Sequence, residues 1–266
     1  MTDQIWTESL NPGPVIATAI HDGHHTREDV LRRFALDDAG RLREEDPFTG
    51  SWTSAAPTRL IGLRSRFEVD LNRPREKAVY RVPGDAWGLT VWSNELPEDI
   101  AAESLAEYDL FYQNLHRVFE AKARECGRFV VLDLHTYNHR RSGPDGEPAD
   151  PTTNPQVNIG TGTMNRERWA PLIDRFIGDL KSFNFPGGQL DVRENVKFQG
   201  GNLALWTHQN FPNNACVISI EFKKFFMDEW SGEPDPGLVN AIGSAMGWTI
   251  DGLLESLRAL PQLPAA

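Results

Sequence analysis

Cysteine, long apolar runs and positive charge are all scarce in this sequence. Cys126 and Cys216 are the only cysteines among 266 residues, so we expect two reduced thiols and no disulfide bridge. No apolar run approaches the ~20 residues that a membrane-spanning helix needs, and the first residues lack the basic and apolar segments of a signal peptide. These absences predict a cytoplasmic protein with no membrane partner.

Acidic residues outnumber basic ones, with 38 Asp and Glu against 27 Lys and Arg and a formal net charge of −11. A chain with this charge repels phosphate backbones, which argues against nucleic acid as a partner. An anionic small molecule would therefore need a local positive site. The 8 Trp and 14 Phe residues supply large apolar side chains for a core. Because no change in composition marks a boundary, residues 1–266 are predicted to form one domain.

Two short apolar runs each continue into a histidine. The run Val15–Ile20 precedes His21, and the run Phe129–Leu134 precedes His135. Continuous apolar runs of this length are typical of strands that are buried on both faces of a parallel sheet. Since ligands gather at the carboxyl ends of such strands, both histidines are candidate metal ligands.

A third apolar run, Ala215–Phe222, contains Glu221. Burial would raise the pKa of this carboxyl toward the range that suits proton transfer, so Glu221 is a candidate general base. Amphipathic patterns predict long helices over 96–126 and 166–183, and the segment 236–260 is predicted to form a closing helix pair or one kinked helix. A shorter helix is predicted over 28–34 with Thr26 as its cap, and a short strand over 87–92. Strands that alternate with helices predict an α/β fold, with a mixed, mostly parallel central sheet and helices on both of its faces.

The stretch Arg66–Arg73 alternates apolar and polar residues, which predicts a half-buried strand that ends at Pro74. We expect this strand to hold Arg66, Asn72 and Arg73 on or beside one rigid element. An arginine binds a carboxylate in a bidentate manner, and an asparagine adds a donor beside it. The stretch is therefore a candidate anion-binding site.

An acidic turn over residues 43–50 offers a carboxylate that could turn inward toward a cation. Two histidines and one such carboxylate would form a three-ligand zinc site that leaves the fourth position for water. With a general base and an arginine for the oxyanion, this set predicts the hydrolysis of an amide. The second arginine would hold the carboxylate of the small-molecule substrate.

The chain resembles the N-formylglutamate amidohydrolase (deformylase) family, which shares the fold of the zinc carboxypeptidases. The resemblance extends from about His21 to Met227 and rests on motifs in a fixed order. They are His21-Asp22-Gly23, Glu44-Glu45-Asp46, Ser65-Arg66-Phe67-Glu68-Val69-Asp70-Leu71-Asn72-Arg73-Pro74, Asp133-Leu134-His135-Thr136, Val157-Asn158-Ile159-Gly160-Thr161, Phe198-Gln199-Gly200-Gly201 and Ile220-Glu221 with Phe226-Met227. The run Asp-Leu-Asn-Arg-Pro is the most specific of them.

The resemblance implies a role for each matching residue. His21 and His135 resemble zinc ligands, and the acidic ligand resembles Asp46, with Glu45 as the next choice. The wider carboxypeptidase pattern instead implies a ligand three residues after the first histidine, which is His24 here. The resemblance further implies these roles: oxyanion stabilisation by Arg66, binding of a terminal carboxylate by Asn72 and Arg73, and general base catalysis by Glu221.

The chain departs from the expected family pattern at Asn202, where a histidine is usual, and in the segment Asn138–Arg141. These departures place Asn202 and Arg140 among the candidates that contact the acyl group or side chain of the substrate. Three hypotheses follow from the sequence. They are a zinc amidohydrolase of N-formyl or N-acyl amino acids, a zinc carboxypeptidase of short peptides, and a carboxylate-binding protein without activity on the same scaffold. The sequence does not indicate an oligomeric state.

Overall fold

The fold is given by a computed structural model that describes residues 4–261. The strands are β1 (Trp6–Ser9), β2 (Val15–Ala19), β3 (Thr58–Gly62), β4 (Phe129–Tyr137), β5 (Val157–Gly160), β6 (Val192–Glu194) and β7 (Ala215–Lys223). The α-helices are α1 (Glu28–Leu31), α2 (Asp38–Glu44), α3 (Thr49–Trp52), α4 (Glu98–Cys126), α5 (Ala170–Ser182), α6 (Asn202–Asn210), α7 (Pro236–Trp248) and α8 (Ile250–Ala259).

The seven strands form one sheet in the order β1-β3-β2-β4-β7-β5-β6. The strands β3, β2, β4 and β7 run parallel to one another, and β5 runs parallel to β6. Only the β1–β3 and β5–β7 pairs in this sheet are antiparallel. The prediction of a mixed, mostly parallel sheet is therefore confirmed. The parallel arrangement brings the carboxyl ends of β2, β4 and β7 to one edge.

Helices cover both faces of the sheet, as predicted. In β4, Val130 and Leu132 face a core that includes residues of α5, α7 and α8, whereas Phe129 and Val131 face a core that includes residues of α4 and α6. Every residue of β4 is buried. This two-sided burial explains why the strand reads as a continuous apolar run in the sequence.

The strand predicted over Arg66–Arg73 is wrong. The segment instead forms consecutive turns, in which the amide of Glu68 donates to the carbonyl of Ser65 (3.0 Å) and the amide of Arg73 donates to that of Asp70 (3.2 Å). Both acids in the alternating pattern are fully buried. Glu68 lies 3.0 Å from the guanidinium of Arg27, and Asp70 lies 2.9 Å from that of Arg66. The carboxylates turn inward to these cations, so the alternation does not separate a buried face from an exposed one.

Other predicted elements are shorter or absent. The strand predicted over 87–92 is wrong, because only Trp92 makes a β-bridge, with Phe34. The helix predicted over 28–34 is shorter, because α1 ends at Leu31. Its N-cap residue is Arg27, which makes no side-chain cap hydrogen bond, so Thr26 does not cap the helix. The acidic turn predicted over 43–50 begins in α2 and continues into α3.

The long helix α4 and the helical end of the chain agree with the predictions. Cys126 and Cys216 are free thiols, as expected. No helix within residues 4–261 is long and apolar enough to span a lipid bilayer.

Candidate metal centre and active site

Three buried side chains meet at the carboxyl edge of the sheet. His21, Asp46 and His135 each offer one ligand atom, and these atoms all lie within 4.8 Å of one another. His21 follows β2 and His135 lies in β4, so adjacent parallel strands bring the two imidazoles together. The amide of Asp46 donates to the carbonyl of His21 (2.9 Å), which fixes the acidic segment beside the first histidine.

Both imidazoles direct the same ring nitrogen toward Asp46. The Nδ1 atoms of His21 and His135 lie 3.3 Å and 3.0 Å from Asp46 Oδ2. Their Nε2 atoms face two further carboxylates, since His21 Nε2 lies 2.7 Å from Asp70 Oδ1 and His135 Nε2 lies 3.1 Å from Asp133 Oδ2. A carboxylate behind a ligating histidine orients the ring and raises its basicity. The inner Nδ1 atoms are therefore the ones presented as ligands.

This group fits a divalent metal ion. His21 Nδ1 is buried and makes no hydrogen bond to any residue of the described chain. An unpaired buried nitrogen is costly, and a metal ion is a natural partner for it. Although burial alone would raise the pKa of Asp46, its contacts with His135 and His21 lower that pKa, so Asp46 is available as an anionic ligand. Two imidazoles and one carboxylate form a ligand set typical of catalytic zinc.

Glu221 lies on β7 directly beside this group. It is the register partner of His135 on the neighbouring strand and lines the same cavity as the three candidate ligands. Burial raises the pKa of Glu221 to about 7, against the opposing effect of His135. A carboxyl with this pKa can both accept and release a proton near neutral pH.

The cavity has a volume of about 640 Å³, and its lining includes Arg66, Asn72 and Arg73. Arg66 donates to Asp70 (2.9 Å), and its Nε is buried without a hydrogen bond inside residues 4–261. Arg73 donates to the carbonyl of Asp85 (3.2 Å) and keeps about one third of its side chain exposed. The sequence-predicted anion-binding residues thus lie in the cavity, although on turns.

Asp70 connects these arginines to the candidate metal centre. Its carboxylate faces His21 and accepts hydrogen bonds from Arg66 and from the hydroxyl of Tyr80. It also accepts one from the backbone amide of Asn72 at 2.8 Å. Burial alone would raise its pKa, but the charge of Arg66 and the contacts with His21 and Tyr80 hold the pKa of Asp70 well below its usual range. One anion therefore positions both an imidazole and a guanidinium.

The two alternative third ligands form a separate network. Glu45 is fully buried and contacts His24 Nδ1 (2.5 Å) and the hydroxyl of Ser65, while His24 Nε2 lies 3.0 Å from Asp38. Neither Glu45 nor His24 belongs to the group around His135 or lines the cavity. Among the three alternatives, the geometry favours Asp46.

Two predicted substrate contacts lie elsewhere. The amide of Asn202 donates to the hydroxyls of Tyr112 (2.9 Å) and Tyr108 (3.2 Å), because Asn202 begins α6 and faces α4. The side chain of Arg140 points toward the carbonyl of Pro144 (3.5 Å). Neither Asn202 nor Arg140 lines the cavity, whereas Arg141 does.

Some cavity residues and supporting residues were not predicted from the sequence. Arg141 pairs with Glu44 across the cavity (3.3 Å), and the fully buried Lys224 donates to the carbonyls of Arg43 (2.5 Å) and Glu45 (2.7 Å). Asp133 was detectable, because it is an acid within an apolar run, like Glu221. The Arg141 pair joins segments that are far apart in sequence, and no local pattern identifies it.

The chain matches a known protein family and is similar in fold to solved structures. A model of the N-formylglutamate amidohydrolase family matches residues 13–227. The structure of an N-formylglutamate amidohydrolase from Ralstonia eutropha JMP134 is similar with a TM-score of 0.72 and 17% sequence identity, covering 96% of this chain and 97% of that one. A gene product of Agrobacterium tumefaciens has a TM-score of 0.59 and 17% identity, covering 96% of both chains. No curated protein sequence matches the chain.

Proposed function

The chain belongs to the N-formylglutamate amidohydrolase family and is a hydrolase of amide bonds, and we propose that it is a zinc enzyme acting on an N-formyl or N-acyl amino acid. The observation that carries this proposal is one cavity that contains the His21, Asp46 and His135 group, Glu221 and Arg73. A metal group, a proton carrier and a carboxylate-binding cation are the parts that this reaction needs.

We assign His21, Asp46 and His135 as the residues that would hold the ion. Zinc in such a site lowers the pKa of water to about 7 and polarises a carbonyl. The carboxylates of Asp70 and Asp133 keep the two imidazoles oriented with Nδ1 inward. Both histidines and the two carboxylates behind them are buried, which supports a site that packing holds in place before any substrate binds.

Glu221 takes the proton of the attacking water at its carboxylate and delivers it to the departing amine. Its raised pKa supports both halves of this transfer, because the carboxyl is neither too weak a base nor too weak an acid near neutral pH. Its position opposite His135 supports the same role, since it places the carboxylate beside the metal group.

Arg66 and Arg73 have different tasks in the cavity. Arg66 carries a fixed charge in a largely buried position, which suits the developing oxyanion of the tetrahedral intermediate. Arg73 is more exposed and, with Asn72, binds the free carboxylate of the amino acid. Binding at Arg73 sets the register of the substrate, so the amide is presented to Glu221.

The proposal is tested by assaying the zinc-loaded protein against N-formylglutamate, N-formyl and N-acetyl derivatives of other amino acids, and dipeptides. We expect release of a free amino acid from at least one N-formyl or N-acyl substrate, and loss of that release after treatment with a chelator. The protein bearing Glu221→Gln is the matched control for contaminating hydrolases.

Two outcomes would overturn the proposal. Cleavage of dipeptides with N-formyl and N-acetyl substrates inert would indicate a carboxypeptidase that uses the same cavity. Tight binding of an N-acyl amino acid by metal-free protein, with no turnover under any condition, would indicate a carboxylate-binding protein.

A further inference from the structure

Trp87 has an unusual backbone conformation at the mouth of the cavity. Its φ of +54° lies in the left-handed region, which residues other than glycine rarely adopt. The residue is 48% exposed, although it carries a large aromatic ring, and it lines the cavity. A strained backbone that exposes a tryptophan is costly, and such strain occurs preferentially at functional sites.

The indole of Trp87 lies against Arg66. The guanidinium carbon of Arg66 is 4.8 Å from the centre of the ring, within the range of a cation–π contact. On its polar side, Arg66 donates to Asp70 (2.9 Å) and to the carbonyl of Glu44 (3.4 Å). The guanidinium is therefore held by acceptors on one side and covered by the ring on another.

The turn that carries Trp87 also contacts the second arginine. The carboxylate of Asp85 accepts from the amides of Arg81 (2.8 Å) and Val82 (3.1 Å), which closes the turn. The carbonyl of Asp85 accepts from Arg73 at 3.2 Å. One short segment thus contacts both arginines, but only Arg66 through a side chain.

We propose that Trp87 is a positioning residue, whose indole holds the Arg66 guanidinium in the orientation that stabilises the oxyanion and shields it from water. This inference rests on the proposed function, which assigns Arg66 to the oxyanion. A guanidinium stabilises developing charge best where water is excluded and its orientation is fixed in advance. Without the ring, one face of Arg66 would be hydrated and its side chain could rotate away.

The first test is a double-mutant cycle on the zinc-loaded enzyme, with kcat and KM measured for the wild type, Trp87→Ala, Arg66→Ala and the double variant. We expect Trp87→Ala to lower kcat about tenfold with little change in KM. In the Arg66→Ala background, the same change should lower kcat by less than about twofold, because the ring then has nothing to hold. Trp87→Phe, which keeps an aromatic face, should restore most of the rate.

Two controls separate this role from a general effect on folding. Trp87→Gly removes the ring and places a residue that adopts a positive φ without strain. It should therefore lower kcat as much as Trp87→Ala does, while costing less folding stability. Trp248→Ala removes a tryptophan that is 58% exposed on α7 and does not line the cavity, and it should leave kcat unchanged. Equal losses from Trp87→Ala in both Arg66 backgrounds, or full activity of Trp87→Ala, would overturn the inference.

A second measurement needs no substrate. In a thermal-unfolding cycle over the same four proteins, Trp87→Ala should lower Tm by less in the Arg66→Ala background than in the wild type. Additive shifts in Tm would show that the ring and the guanidinium do not interact, and would overturn the inference. If the wild type hydrolysed no substrate, the proposed function would have failed, while this cycle would still decide whether Trp87 holds Arg66.

Discussion

His135 and Glu221 are register partners on the adjacent parallel strands β4 and β7. Neighbouring strands lie about 4.8 Å apart, and partners in a parallel pair project to the same face. The sheet itself therefore fixes the distance between a candidate metal ligand and the candidate base. Because β4 is buried along its whole length and β7 from Ala215 to Ile220, neither His135 nor Glu221 can shift without a change in the register of the two strands.

The substitution Glu221→Gln tests the base that this register places. The amide keeps the size of the side chain but cannot accept a proton, so we expect kcat to fall on the order of a hundredfold or more. The bound metal, measured by elemental analysis, should remain at the wild-type level. Near-normal turnover would remove Glu221 from the reaction.

Removal of the metal should abolish activity and lower the thermal stability of the protein. A chelator takes away a ligand that binds only the native state, and binding at a hundredfold excess over Kd is worth about 2.7 kcal/mol. We expect a decrease in Tm by differential scanning fluorimetry, with recovery of both Tm and activity when zinc is returned.

Variants of the histidines identify the ligands. His135→Ala should lose the metal, whereas His24→Gln should retain it, because His24 pairs with Glu45 outside the cavity and glutamine still donates to that carboxylate. Loss of metal from His24→Gln with retention in Asp46→Asn would instead support the alternative ligand set of His21, His24 and His135.

Arg73→Ala tests the carboxylate-binding residue. It removes a charge-assisted contact worth about 1.5–3 kcal/mol, so we expect KM to rise by roughly 10- to 150-fold with a smaller change in kcat. Arg75→Ala is the matched control, because Arg75 lies two residues away and forms an exposed pair with Asp109 (2.7 Å). A defect confined to kcat would contradict the binding role of Arg73.

The sequence predicts best those elements whose residues are all buried to a similar degree. The run Phe129–Leu134 is buried on both faces, so its composition alone identifies a central strand. The same reasoning fails for the stretch Arg66–Arg73. Its acids, Glu68 and Asp70, are buried in ion pairs with arginines, and the sequence pattern alone does not distinguish a buried carboxylate from an exposed one. The structure of this segment depends on Arg27 and Tyr80, which lie in other parts of the chain.

The candidate site shows the same division. His21, His135 and Glu221 were predicted because each lies at the end of an apolar run. The ends of adjacent parallel strands lie side by side, so residues at these ends are close in space. Asn202 does not line the cavity, because α6, which was not predicted, begins at this residue and turns its side-chain amide toward α4. Trp87 was assigned to a strand, and its positive φ depends on the turn that Asp85 closes.

Gly201→Ala tests whether the cavity depends on the exact position of the Asn72 amide. The φ of Gly201 is −99°, which alanine adopts freely, so the substitution adds only a methyl group. An ideal β-carbon there would lie 2.3 Å from both Asn72 Nδ2 and Asn72 Oδ1, so the amide must move. That movement would also break the hydrogen bond from the amide of Leu203 to Asn72 Oδ1 (3.0 Å), which anchors the start of α6.

We therefore expect Gly201→Ala to raise KM about tenfold or more with a smaller effect on kcat, as for a weakened carboxylate site. Gly178→Ala is the control, since an added β-carbon in this α5 position meets no atom within 4 Å. In that helix, alanine should increase stability by about 0.5–1 kcal/mol and leave the kinetics unchanged. An unchanged KM in Gly201→Ala would show that substrate binding does not use the Asn72 amide, and Arg73 would then hold the carboxylate without it.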